Sequence, residues 1–166
     1  MKILMCTKMA IFLSTFVNTV DNKGRVVVPK EFRVALGNVA DNFHGFVAFR
    51  SHKFGAIDCF SMDRMEKLST QIDQTMDPFS IDRDSIESAV FADAVIMRFD
   101  KDGRVVIPQS LLEHARIGVS AANGACEKGE AKVAFVGRGA TFQLWNPDDF
   151  HIHQMDARAK LMKRAI

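Results

Sequence analysis

Cysteine is scarce in this 166-residue chain: Cys6, Cys59 and Cys126 are the only three, and no two form a C-x-x-C pair. An odd, scattered set excludes a disulfide framework and a thiolate metal finger, and reads as reduced thiols in a cytosolic chain. Long apolar runs are missing as well. None reaches the roughly 18 residues that a membrane helix requires, so no membrane partner is expected. Charge of one sign is also short: the net value is only +2, which by itself implies no polyanion. The serines show no G-x-S-x-G elbow, and no cysteine–histidine pairing stands out. Gly137-Arg138-Gly139-Ala140-Thr141 has the glycines of a phosphate cradle, but no helix carrying Lys-Ser/Thr follows, so a hairpin turn is the better reading. We therefore expect no enzyme, no cofactor and no small-molecule substrate.

What is present is a globular composition, 48% hydrophobic and 25% charged, long enough for one ordinary domain or two very small ones. Residues 9–17 have a signal-peptide flavour, with Lys2 and Lys8 before them. They run without a small-residue cleavage site into Asn18-Thr19-Val20-Asp21, and a short N-terminal extension before a first strand is preferred. Charge is unevenly spread. Residues 1–53 hold 8 Lys/Arg against 3 Asp/Glu, residues 54–93 hold 3 against 9, and residues 98–166 hold 11 against 8. That field draws anions to the two ends and keeps them off the middle.

Those two ends carry one repeated segment. Asp21-Asn22-Lys23-Gly24-Arg25-Val26-Val27-Val28-Pro29 returns 79 residues later as Asp100-Lys101-Asp102-Gly103-Arg104-Val105-Val106-Ile107-Pro108, with six positions identical. A repeat of this kind points to two copies of one structural unit. In each copy a β-rich run, 12–20 or 94–99, meets a three-residue turn that ends in Gly24 or Gly103, the left-handed position of a G1 bulge. A β-branched run follows, so Asp21/Arg25 and Asp100/Arg104 face each other across a hairpin mouth. Pro29 and Pro108 then read as first residues of short helices that stop at Gly37 and Gly118.

The likeness continues. Phe46-Val47-Ala48-Phe49 matches Val133-Ala134-Phe135-Val136, and Ile57-Asp58-Cys59-Phe60 matches Phe142-Gln143-Leu144-Trp145. One helix is expected after Ser61, with Met62, Met65, Leu68 and Ile72 on one face. Another follows the cap Asn146, with Pro147, Asp148 and Asp149 in its first turn. Each unit reads β-hairpin, helix, β-hairpin, helix. Four short strands cannot close a barrel alone, so one α+β body with an interleaved β-barrel core across a pseudo-two-fold axis is expected.

The paired D-x-x-G-R-V-x-[VI]-P segments, each opening such a unit, resemble the MraZ family of bacterial transcriptional regulators. Residues 9–21 are similar to the usual start of that family, which makes 1–8 an extra leader, and the resemblance covers about residues 11–150. It implies a duplicated swapped-hairpin (double-split) β-barrel of the AbrB/SpoVT type with short flanking helices. It further implies a ring-shaped homo-oligomer, cytoplasmic and nucleoid-associated, that binds short double-stranded DNA repeats upstream of the division and cell-wall gene cluster. On this reading residues 11–61 and 94–150 are the repeats, 62–93 an acidic helical connector and 151–166 a basic C-terminal helix. Family motif positions carry over to Asp21, Lys23, Gly24 and Arg25, and to Asp100, Gly103 and Arg104. Asp102, a negative charge in the second loop, makes that copy the weaker candidate.

Those residue types suit DNA. A two-stranded ribbon fits the major groove, and Arg25 and Arg104 offer planar forks for a guanine edge or a phosphate. Gly24 and Gly103 leave nothing bulky between backbone and nucleic acid. Lys23, Lys30, Arg33, Lys101 and Arg98 are phosphate-contact candidates. Asp21 and Asp100 are read as structural, orienting the arginines. Among the remainder, His151 and His153 point about 200° apart on the helix expected after Pro147 and cannot share a metal there, whereas on a strand they could. His44, His52 and His114 read as surface or loop residues, and Met62, Met65 and Met97 as core fillers. Residues 77–87 form a connector whose second half becomes a helix from the cap Asp84 or Ser85, either a solvated linker or an acidic subunit contact. The competing function is an antitoxin-like or scaffold protein, with a partner held on that connector or on the basic tail 158–164.

Overall fold

The computed structural model describes residues 11–37, 43–118 and 131–164. Cys6, Cys126, the leader and most of the long loop after Gly118 lie outside them. The chain is α+β with antiparallel sheets. Strand β1 (Thr15–Val20) leads through the first turn to β2 (Arg25–Val27), helix α1 (Lys30–Leu36), β3 (Gly45–Arg50), β4 (Ala56–Phe60) and α2 (Met62–Thr75). A short helix α3 (Ile81–Ile86) and a π-helical turn (Glu87–Phe91) connect to the second copy. That copy comprises β5 (Val95–Arg98), β6 (Arg104–Val106), α4 (Gln109–His114), β7 (Ala131–Gly137), β8 (Phe142–Trp145) and α5 (Pro147–Arg164).

The strands do not pair with their neighbours in sequence at the two turns. β1 pairs with β7 and β5 with β3, giving a six-stranded sheet ordered β1-β7-β8-β4-β3-β5, while β2 and β6 form a separate ribbon. The expected hairpins are therefore turns without ladders: beyond Asp21 N–H to Arg25 O (2.9 Å) and Gly24 N–H to Asp21 O (3.0 Å), the chains diverge. Divergence is favoured because β2 finds a better partner 79 residues away. The register sets Val26 opposite Val105, and these two, each 1% exposed, are the same position of the two repeats. Val28 N–H donates to Gly103 O at 3.0 Å and Ile107 N–H to Gly24 O at 2.8 Å, a reciprocal pair. A local two-fold axis thus runs between Val26 and Val105. In the large sheet the same relation sets Asp58 opposite its counterpart Gln143. No closed barrel forms among the described residues: β1 and β5 are sheet edges, because each ladder partner is already taken.

The main core fills the space between the inner face of the sheet, the ribbon and the helices α1 and α4. Phe32 of α1 lies with its ring centroid 5.4 Å from Phe12 and 5.0 Å from Phe142, edge-on or tilted as aromatic quadrupoles prefer. The outer face carries two smaller clusters. Phe150 of α5 packs with Trp145, Ala134 and Val136, and Met65 of α2 with Val47, Phe49 and Val90. Met97 joins the main core and Met62 and Leu68 pack against the second cluster, as their spacing predicts.

Local signals hold with small displacements. Ser61 caps α2, its hydroxyl accepting Arg64 N–H at 3.2 Å, and Asn146 Oδ1 accepts Asp148 N–H at 2.9 Å. Pro29 and Pro108 are cap residues rather than first helical residues: ψ of 139° and 143° keeps them extended. The first helix stops at Gly37 (φ +67°), but α4 ends at His114, with Ala115 as cap and Arg116 at φ +53°, before Gly118 is reached. The connector helix starts early. Ser80, not Asp84 or Ser85, caps it by accepting Arg83 N–H at 3.2 Å. Arg83 then pairs with Asp73 and Glu87 of its own chain. No described helix is long and apolar enough to cross a membrane.

Candidate nucleic-acid interface

Each turn is built around one carboxylate. Asp21 Oδ1 accepts the N–H groups of Lys23 and Arg25, both at 2.9 Å, and Oδ2 accepts Arg25 Nε–H at 2.7 Å. Asp100 does the same with Asp102 N–H (2.8 Å), Arg104 N–H (2.9 Å) and Arg104 Nε–H (2.8 Å). These donors favour the charged carboxylates. Arg25 N–H is the largest influence holding the Asp21 carboxyl below its ordinary range, and Arg104 N–H does so for Asp100. The spacing D-x-x-G-R follows from this: a shorter or longer loop would not return the arginine N–H and Nε–H to one carboxyl.

Glycine is required at the fourth position for two reasons. Gly24 and Gly103 have φ of +78° and +72°, and a Cβ on Gly24 would stand 2.7 Å from Ile107 O. A Cβ on Gly103 would instead meet the Arg33 guanidinium, at 2.5 Å from Nη1.

Strand alternation then decides where the arginines point. With Val26 and Val105 turned into the core, Arg25, Val27, Arg104 and Val106 share the outer face of the ribbon. Arg25 and Arg104 are diagonal partners there, with Cα atoms roughly 7–8 Å apart. Their side chains are 39% and 34% exposed, so neither guanidinium is sealed from solvent. Val27 and Val106 lie between them, 44% and 57% exposed.

The two turns differ in charge. Arg104 Nη2 also pairs with Asp102 at 2.9 Å, whereas the matching position of the first turn is exposed Lys23. The Asp100 hydrogen bond is the main reason the Arg104 pKa is raised; Asp102 and Asp21 add to it, so the two turns feel each other's field. Lys101 and Lys30 are exposed, at the second turn and at the start of α1. Arg33 is less free than its sequence position implied. Its Nε–H donates to Val28 O at 3.1 Å, and it lines, with His44, Lys101 and Gly103, a groove of about 430 Å³. Arg98 lies over the Phe43 ring at 5.2 Å. A residue with no sequence signal also belongs here: Asn18 Nδ2–H donates to Val27 O at 2.6 Å, tying ribbon to sheet.

The histidines fall apart from this face. His44 and His52 are exposed, but His114 sits half-buried on α4, in the helix expected from Pro108, with no partner for Nε2 among the described residues, so it is neither a surface nor a loop residue. His151 and His153 ride on α5, and His153 stacks on Trp145 at 5.0 Å. The described residues hold no metal-ligating cluster of three or more His, Cys, Asp or Glu.

With that geometry in place, comparison with known proteins is decisive. Over 150 residues the chain is 39% identical to "Transcriptional regulator MraZ" of Rickettsia akari, spanning 90% of this chain and 91% of that one. The chain belongs to the MraZ family. The protein of the same name from Rickettsia peacockii is 39% identical over 142 residues, 86% of this chain and 85% of its own. That of Rickettsia typhi is 38% identical over the same shares. The family model described as "MraZ protein, putative antitoxin-like" matches residues 90–165, so the MraZ signature includes the whole second turn.

Proposed function

We propose that this MraZ-family chain is a sequence-specific DNA-binding transcriptional regulator whose ribbon β2/β6 enters the major groove. The observation that carries the reading is the placement of Arg25 and Arg104 on one solvent-facing side of a ribbon that only the two repeats together can build. A ribbon of this width fits the major groove, and a planar fork at each end can grip a guanine edge or a phosphate. Lys23, Lys30 and Lys101 supply phosphate contacts around it. Asp21 and Asp100, with Gly24 and Gly103, build the turns rather than touch DNA. On this proposal the chain is a double-split barrel opened along β1 and β5, with residues 11–61 and 94–150 as its halves, 62–93 as connector and the region from 151 onward as the basic C-terminal part.

One ribbon makes too few contacts for tight binding. A ring of subunits engaging spaced repeats upstream of the division and cell-wall genes raises affinity through effective concentration. Cytoplasmic, nucleoid-associated placement follows from that role. The antitoxin-like alternative rests on the wording of the family description and on exposed Ile152, Met155, Leu161 and Met162 of α5. Gel-shift titration of the chain's own upstream DNA tests the choice. Arg25→Ala should abolish retardation with the oligomer intact, and wild-type affinity should fall steeply with salt. Unchanged affinity for the variant across salt concentrations overturns the proposal.

A further inference from the structure

A second site lies on the opposite face of the sheet, where the local two-fold relation is broken. Arg50 and Gly137 occupy matching places in β3 and β7, and Asp93 and Ser14 occupy matching places ahead of β5 and β1. In the first member Asp93 accepts Arg50 N–H at 2.8 Å through Oδ2 and pairs with Arg50 Nη1 at 2.6 Å through Oδ1. In the second, Gly137 N–H goes to Ser14 O at 2.9 Å, and no carboxylate is supplied. An arginine follows one residue on, and strand alternation turns it to the other face, beside Val136 and Gln143. Arg138 gives Nε–H to Gln143 Oε1 at 2.8 Å and sets Nη2 3.4 Å from His153 Nε2, yet it forms no ion pair among the described residues.

The space beside it is a cavity of about 280 Å³, lined by Ser14, Thr15, Arg138, Phe150, His153 and Gln154 among others. Its polar side chains are hydroxyls, an amide, an imidazole and a guanidinium, with no acid in the lining. Ser14 has a φ of +72°, uncommon for a residue with a Cβ. We propose that this cavity binds a small phosphate, free or as a monoester, held by the Arg138 guanidinium and the hydroxyl, amide and imidazole groups around it. A phosphate is favoured over a carboxylate because Ser14, Thr15, Arg138, His153 and Gln154 line the cavity from different sides, and a tetrahedral group presents acceptors in more directions than a planar one.

His153 reports occupancy. Burial is the main cause of its lowered pKa and Arg138 adds to it, while Asp156 pulls upward and Lys160 downward. An anion in the cavity beside both groups offsets the Arg138 effect and raises the His153 pKa.

The test is an NMR titration of the full-length protein, without DNA, with inorganic phosphate at constant ionic strength, following the His153 ring signals. Saturation with a Kd on the order of 1 mM, with a rise in His153 pKa, is expected. Arg138→Gln should weaken binding about tenfold or more. Ser14→Asp, which the left-handed backbone tolerates, should raise the His153 pKa with no phosphate added and block the titration. Shifts that stay linear, or that match in Arg138→Gln and under sulfate or chloride, mean an adventitious ion only and overturn the proposal. Tighter binding of acetate than of phosphate overturns the phosphate assignment. Because DNA is not in the experiment, its result is separate from the proposed regulatory role.

Discussion

Gln143 Nε2–H donates to Asp58 Oδ1 at 2.6 Å, and these two residues are each other's counterpart across the local two-fold relation. In a symmetric dimer a residue on the axis meets its own copy, and two aspartates there would repel. A chain that holds both halves can place unlike partners on the axis, and this one sets an acceptor against a donor. Gln143, only 8% exposed, spends its oxygen on Arg138 Nε–H at 2.8 Å and Trp145 Nε1–H at 2.9 Å. Asp58→Ala strands the amide donor and should cost about 1–3 kcal/mol of stability in urea unfolding. Asp58→Asn keeps an acceptor and should cost less than half of that.

The two turn glycines should respond unequally to one change. Gly103→Ala pushes against the tip of Arg33, which can move, so the penalty is mainly the left-handed backbone, about 1–2 kcal/mol. Gly24→Ala drives its methyl into backbone oxygen of Ile107 and should cost on the order of 3 kcal/mol. Adding Arg33→Ala should relieve part of the Gly103→Ala penalty and none of the Gly24→Ala penalty. Thermal melts of the four variants check the ordering.

Acid should loosen both turns. The Asp21 and Asp100 carboxyls are held below their ordinary range by the loop N–H groups of Arg25 and Arg104. A folded pKa below the unfolded one means that the stabilisation is complete at neutral pH and is lost as pH falls through the folded value, below about 4. Arg25 and Arg104 Nε–H signals should shift together in that window. Persistence of both signals unchanged at pH 2 would contradict the carboxylate-centred turn.

Cys59 lies fully inside the main core, and burial pushes its thiol well above the usual range, with Asp58 adding to the effect. Site-resolved mass spectrometry after alkylation at pH 8 should find Cys59 unmodified in the native protein and labelled once it is unfolded.

Much of this was legible in the sequence, because short-range chemistry announces itself. The D-x-x-G-R spacing fixes a carboxylate-centred turn, and Ser61 and Asn146 mark helix starts with their own side chains. Partner choice was not legible. Alternation says that Val26 faces inward, but nothing in Arg25-Val26-Val27 says that the strand alongside is β6 rather than β1. Proline fixes φ alone, and the extended ψ that makes Pro29 a cap is set by the ribbon pairing before it. Ser80, Asp84 and Ser85 are all cap residues by type, and the salt bridges of Arg83 to Asp73 and Glu87 favour the longer helix. His114 lies in the helix that Pro108 announces, but its burial was not legible, since that comes from β3 and β4 passing beneath α4.

Neither half of the chain contains a complete ribbon. During synthesis β2 emerges with no strand to receive it and must wait until β6 has cleared the ribosome, by which time most of the polypeptide is made. The surface bearing both guanidinium groups is therefore withheld from any product that ends before β6, since such a product carries Arg25 without Arg104.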